Sequence, residues 1–150
     1  MQTERGFRDL LNHCLQRKKK KNISRHILPI CTDTMDMGCG WFLIKLPGNY
    51  CPQRELIGRA GLEHREFPDA VELELGYLID PDRQGQGLAT EVCQAILAFA
   101  REELDFPRVN ALTDQKNVAS VALLQKLGFY YLEDTDVSGS RTQRYIYEFS

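Results

Sequence analysis

Ile79-Asp80-Pro81-Asp82-Arg83-Gln84-Gly85-Gln86-Gly87-Leu88-Ala89-Thr90 joins a segment of alternating apolar residues to one of helical periodicity. The first N–H groups of a helix have no intrahelical acceptor, and the helix dipole places about half a positive charge there. Glycines at 85 and 87 remove the side chains that would hold an anion away, and Thr90 adds a hydroxyl donor in the first turn. The chemistry such a turn offers is the binding of a pyrophosphate. Other phosphate motifs fit less well. Gly85-x-Gly87 opens like a dinucleotide fingerprint, but position 90 is Thr rather than Gly or Ala, and no acidic residue closes a second strand about 20 residues on. The Gly-Lys-Ser/Thr of a P-loop is missing. Taken alone, the loop is equally well read as a tight strand-to-helix turn.

Two more motifs give it context. Gln84-Gly85-Gln86-Gly87-Leu88-Ala89 fits a Gln/Arg-x-x-Gly-x-Gly/Ala pattern at every fixed position, and Glu74-Leu75-Gly76-Tyr77 precedes it in a strand. Downstream, Asn117-Val118-Ala119-Ser120 is followed by Lys126-Leu127-Gly128-Phe129. In this combination the chain resembles the GNAT superfamily of acyl-CoA-dependent N-acyltransferases. It is most similar to the branch that holds the ribosomal-protein N-terminal alanine acetyltransferases. The likeness covers Glu72 to Leu132 well, Leu56 to Gly61 fairly, and the rest weakly.

The resemblance implies an α/β (α+β) fold with a mixed, mostly antiparallel, splayed sheet flanked by helices, and acetyl-CoA as co-substrate in the splay. The pyrophosphate would rest on the amides of Gln86, Gly87, Ala89 and Thr90, within the Gln84–Gly85 turn. The pantetheine arm would pair with the backbone of Leu78, Ile79 and Asp80, as an added strand would. Asn117 would bond a pantetheine amide, although a plain helix cap explains it as well. The reaction implied is transfer of an acetyl group to a primary amine, either a protein N-terminus or a small amine.

An amine must lose a proton before it attacks a thioester, and a carboxylate nearby can take it, directly or through water. Glu74 is the candidate base, because it shares a strand face with Gly76 and Leu78; Glu72 is the second. An exposed strand glutamate is the plain alternative for both. Many family members carry a tyrosine seven residues after the asparagine to protonate the departing thiolate, but this chain has Leu124 there. Ser120 is the candidate acid in its place, with Tyr130 and Tyr131 as outside candidates. A catalytically silent acyl-CoA-binding module is the rival reading.

These residues need a scaffold. Val71 to Ile79 alternates as a strand, with Val71, Leu73, Leu75, Tyr77 and Ile79 on one face. Leu88 to Leu104 has the spacing of a core-facing helix, Val109–Thr113 reads as a strand, and Asn117 to Leu127 as a second helix closed by Gly128. Phe129–Leu132 and Tyr145–Phe149 read as paired strands around Ser138-Gly139-Ser140. Upstream, Thr3 to Lys20 predicts an amphipathic helix. Ile23–Thr32 predicts a strand that Pro29 bends or confines to an edge. Asp33–Gly40 reads as a turn, Trp41–Leu46 and Leu56–His64 as strands. The family usually opens with a further strand and helix before the segment equivalent to Thr3–Lys20, which suggests an open acceptor pocket and an exposed sheet edge that favours a homodimer.

With 150 residues, 43% apolar and 27% charged, the chain reads as one soluble domain able to bury a core, and no run reaches the ~20 apolar residues of a spanning helix. A polar N-terminus without an apolar block reads as cytoplasmic. The net charge of −2 argues against a general nucleic-acid surface. Residues 1–26 nevertheless carry eight basic against two acidic side chains, with Lys18–Lys21 best read as a solvated helix end. Five cysteines without a C-x-x-C pair, and three histidines without ligand spacing, point to free thiols and no metal.

Overall fold

The computed structural model describes residues 28–35, 39–45 and 56–150, with side chains described from 57 onward, 103 excepted. The expected helix at 3–20 and the lysine run at its end lie outside the described residues. Among the described residues seven strands form one sheet: β1 (Leu28–Met35), β2 (Cys39–Lys45), β3 (Leu56–Glu66), β4 (Val71–Ile79), β5 (Arg108–Thr113), β6 (Tyr130–Val137) and β7 (Ser140–Glu148). Their spatial order is β1-β2-β3-β4-β5-β7-β6. Every neighbouring pair is antiparallel except β4 and β5. A parallel neighbour requires a crossover, and helix α1 (Leu88–Glu103) supplies it. Helix α2 (Val118–Leu127) then connects β5 to β6.

The expected strands and helices of residues 56–150 are present, with shifted ends. Residues 33–35 and 39–40 correct the expected turn at Asp33–Gly40, because they extend β1 and β2 through the pairs Asp33↔Trp41, Thr34↔Gly40 and Met35↔Cys39. Cross-strand pairing overrides the local turn propensity of Asp and Gly there. Pro29 sits in β1, at the edge of the sheet among the described residues, where a missing N–H is tolerated. The β6–β7 hairpin is longer than expected, running to a turn at Ser138 and Gly139, both at positive φ.

One face of β4 carries the core. Leu73, Leu75 and Ile79 pack with Val92, Cys93, Ile96 and Ala100 of α1, Leu124 and Leu127 of α2, and Val109 and Ala111 of β5. Each large apolar side chain withdrawn from water there contributes roughly 1.5–3 kcal/mol. The opposite face departs from the solvent-exposed glutamates suggested by the alternation. Glu72 and Glu74 are both buried, and each meets arginine. Glu72 accepts from Arg108 Nε at 2.7 Å, from Arg144 at 3.2 Å and from the Asn110 side-chain amide. Asn110 also donates to the Leu73 carbonyl at 3.1 Å and accepts from Arg144 Nε at 2.8 Å. Arg144 lies over the Phe67 ring, 3.8 Å from its centroid, and donates to Glu133 at 2.9 Å. Burial works to raise the Glu72 pKa, but the hydrogen bonds from Arg108 and Asn110 and the charges of Arg108 and Arg144 outweigh it and leave it below the usual value.

This network ties β4, β5 and β7 together at one level of the sheet. The β4–β5 ladder holds only there, through Leu73↔Val109 and Glu74↔Asn110. Beyond Glu74 the two strands part, which is the expected splay.

A prediction separates this network from surface charge. Arg144, with a side chain 2% exposed, leaves a buried carboxylate short of a partner when replaced by Met, so Arg144→Met should cost about 3–5 kcal/mol in urea unfolding. Arg141 pairs with Asp134 while 83% exposed, and Arg141→Met should cost less than about 1 kcal/mol.

Candidate active site

Three features meet where β4 and β5 diverge. The first is the loop after β4. Asp80 caps a short 3-10 turn, Pro81–Arg83, by accepting from the Asp82 N–H at 2.9 Å, and Gln84 folds its side-chain amide back onto the Ile79 carbonyl at 3.0 Å. Gly85 and Gly87 follow at φ 77° and 78°, left-handed values that side chains resist. Gly87 is the N-cap of α1 and makes no side-chain cap; the first helical bond is Glu91 N–H to Gly87 C=O at 3.1 Å. The amides of Leu88, Ala89 and Thr90 therefore precede the first helical donor. A Ser, Thr, Asp or Asn side chain usually caps such a helix start, and here Gly87 supplies none.

The second feature is the gap-facing edge of β4. Asp80 N–H donates to the Ile57 carbonyl of β3 at 2.7 Å, and the Leu78 carbonyl lies so close to Gly58 that a Cβ there would collide with it. Leu73 turns its carbonyl the other way, to Asn110. Backbone groups alternate sides along a strand, so Tyr77 and Ile79 face the gap while Leu78 and Asp80 face β3.

The third feature is the start of α2. Asn117 Oδ1 accepts from Ser120 N–H at 3.1 Å, the expected cap, and leaves the amide NH₂ available to donate. Ser120 Oγ lies 2.7 Å from the hydroxyl of Tyr77.

All three line one cleft of about 420 Å3. The cleft contains Leu78, Ile79, Gln84, Gly85, Gly87, Ala89, Thr90, Asn117 and Ser120 of the residues expected from sequence. It also contains Tyr77, Arg83 and Lys126, which sequence reasoning did not assign to it. The two cations line the same cleft as the open helix start and suit a phosphorylated ligand. Tyr77 was hidden among the apolar residues of its strand face; a phenol there, where its neighbours are Leu and Ile, was the available signal. Asp80, Gln86 and Glu74 are not among the lining residues. Glu74 lies on the other sheet face, 8% exposed, and accepts from Arg65 Nε of β3. Leu124 is buried in the core and turns no group into the cleft. Tyr130 and Tyr131 bond instead to Glu148 and Asp134 on the surface hairpin.

A mixed sheet that splits at a parallel pair, with an uncapped helix start at the mouth of the split, defines the architecture of acyl-CoA-dependent acyltransferases. A sequence profile of the acetyltransferase (GNAT) domain matches residues 5–130, and the chain belongs to that family. It is 30% identical over 77 residues to the uncharacterized protein YkkB of Bacillus subtilis, covering 51% of this chain and 45% of YkkB. The fold is similar to a GnaT-family acetyltransferase from Bordetella pertussis, at TM-score 0.65 and 28% identity over 74% of this chain and 66% of that one. It is also similar to RimL, a ribosomal L7/L12 α-N-protein acetyltransferase solved with coenzyme A, at TM-score 0.58 and 21% identity over 73% of this chain and 62% of that one. The chain thus spans less than half of YkkB and under two thirds of either solved structure.

The cleft glycines can be told apart from a structural one. A Cβ at Gly87 meets nothing within 4 Å, so Gly87→Ala should cost only the left-handed strain, about 1–2 kcal/mol. A Cβ at Gly128 (φ 99°) would lie 3.3 Å from the Tyr147 ring, so Gly128→Ala should cost more than Gly87→Ala in the same urea titration.

Proposed function

We propose that this chain transfers an acetyl group from acetyl-CoA to a primary amine, by direct attack within a ternary complex. The observation that carries the proposal is the coincidence, in one cleft that Arg83 and Lys126 also line, of a helix N-terminus without a side-chain cap and a strand edge left open by the sheet's split. The amides of Gly87 to Thr90 receive the diphosphate, with Arg83 and Lys126 beside it. The pantetheine arm lies along the Tyr77 and Ile79 backbone and meets the Asn117 amide. The arm then ends with its thioester beside Ser120, on the cleft wall that faces Tyr77 and Ile79.

Attack by the amine nitrogen on the thioester carbonyl puts negative charge on oxygen, and the Ile79 N–H, facing the gap, is the donor placed to hold it. The carbon–sulfur bond then breaks and its electron pair leaves on sulfur, toward Ser120. Glu74 takes the proton that nitrogen loses, through water from the opposite sheet face; its pairing with Arg65 requires the acceptor to compete for that carboxylate. A protein N-terminus has an α-amine with pKa of about 8 and is partly unprotonated at neutral pH, whereas a lysine at about 10.4 is not. The acceptor class is accordingly an α-amine or a small amine of depressed basicity.

The Glu74–Arg65 pair and the burial of Leu124 favour one rival, a module that binds acyl-CoA without turning it over. Thiol release decides between them. With acetyl-CoA and a panel of primary amines and short peptides, the wild type should release thiol with at least one acceptor. Glu74→Gln should cut that rate about 100-fold or more while acetyl-CoA affinity stays within twofold. Binding without release under any acceptor would establish the silent module, and absence of acetyl-CoA binding would refute both.

A further inference from the structure

The Tyr77 side chain has no part in the roles above. Its hydroxyl reaches from β4 across the cleft to the first turn of α2, 2.7 Å from Ser120 Oγ and 3.5 Å from the Ser120 carbonyl. Geometry allows either hydroxyl to be the donor; in one of the two arrangements the phenol donates and Ser120 Oγ accepts. Ser120 then keeps its own hydrogen to direct elsewhere, and its remaining open side is the cleft. Its N–H is already held by Asn117 Oδ1 at 3.1 Å, so the residue is fixed from two directions. A hydroxyl that accepts a hydrogen bond also becomes a better donor.

The surroundings keep this pair neutral. Burial pushes the Tyr77 hydroxyl up to about 12, against the opposing effect of its Ser120 bond and with a small addition from Cys93. Cys93, behind it on α1, is itself pushed up to about 12 by burial. Both groups are therefore protonated at neutral pH. Among the described residues, Lys126 of α2 and Arg83 of the β4–α1 loop are the charged groups on the cleft walls.

We propose that Tyr77 is a positioning residue that orients the Ser120 hydroxyl as a hydrogen-bond donor to the sulfur of coenzyme A. This rests on the acyl-CoA reading above. When the carbon–sulfur bond breaks, the electron pair goes to sulfur and Ser120 shares its hydrogen with the thiolate. No proton leaves the Tyr77–Ser120 pair. The proton that sulfur finally gains is balanced by the one nitrogen loses, exchanged through solvent. The pair thus supplies leaving-group stabilisation in a chain that has leucine at 124.

The test needs no acceptor. Coenzyme A bound to the full chain is titrated with base while the ultraviolet absorbance of its thiolate is followed, and calorimetry reports its affinity. Free thiols titrate near 8.5, and a hydrogen bond to the charged sulfur should lower the bound value by about one unit in the wild type. Ser120→Ala should abolish that part of the depression which the Lys126 and Arg83 charges do not supply. Tyr77→Phe should remove most of the same part, and the double variant should match Ser120→Ala alone, because the two residues act as one unit. Coenzyme A affinity should change less than threefold in all three. A Tyr77→Phe protein that titrates like the wild type overturns the inference while leaving coenzyme A binding intact. No heat of binding in the wild type overturns the acyl-CoA reading and the inference with it. If Tyr77→Phe does not fold, Ser120→Thr against Ser120→Ala decides: threonine should keep the depression that alanine loses, and equal behaviour refutes the role.

Discussion

The site depends on where β4 stops pairing with β5. Two residue pairs hold the strands together, and the buried Glu72–Asn110–Arg144 cluster lies at that level. Asn110 spans the junction, donating to the Leu73 carbonyl of β4 and to Glu72 while accepting from Arg144 of β7. Taking charged groups out of water costs several kcal/mol per ion, and only partners for each donor and acceptor recover it. A network completed in one geometry therefore tolerates little displacement, and it fixes the vertex from which the strands diverge. The apolar face of β4 does not fix this point, because Leu, Ile and Val packing is less directional.

The remaining parts of the cleft follow from that vertex. Past Glu74, the edge of β4 toward β5 pairs with no strand among the described residues, and an unpaired edge is a template for an extended ligand. The same strand ends in the turn that opens α1, so the strand edge and the helix amides are separated only by residues 80–86. Helix α2 follows β5 directly, which brings Asn117 and Ser120 to the opposite wall. A diphosphate at one end and a thioester at the other thus address groups placed by consecutive elements, and the acyl-CoA reading needs no long loop to build its site.

Much of this was legible in sequence because its causes are local. Gly85, Gly87 and Gly128 take left-handed φ values, and Asn117 caps the helix it precedes. Those roles depend on near neighbours in the chain, as did the alternation of Val71–Ile79. What was missed depends on distant partners. Glu72 reads as an exposed strand glutamate because Arg108 and Arg144 lie 36 and 72 residues away, and Tyr77 reads as core because its partner Ser120 is 43 residues off. Residues 33–35 and 39–40 read as turn for the same reason, since they are held by pairing between β1 and β2 rather than by their own propensity.

Amide chemical shifts during a titration of the isotopically labelled chain with coenzyme A test the central claim most directly. The largest changes are expected at the N–H groups of Gly87, Leu88, Ala89 and Thr90, with a second set at Tyr77 and Ile79 and little change at the Glu72–Asn110–Arg144 vertex. Changes confined to another surface, or none at saturating ligand, would contradict it.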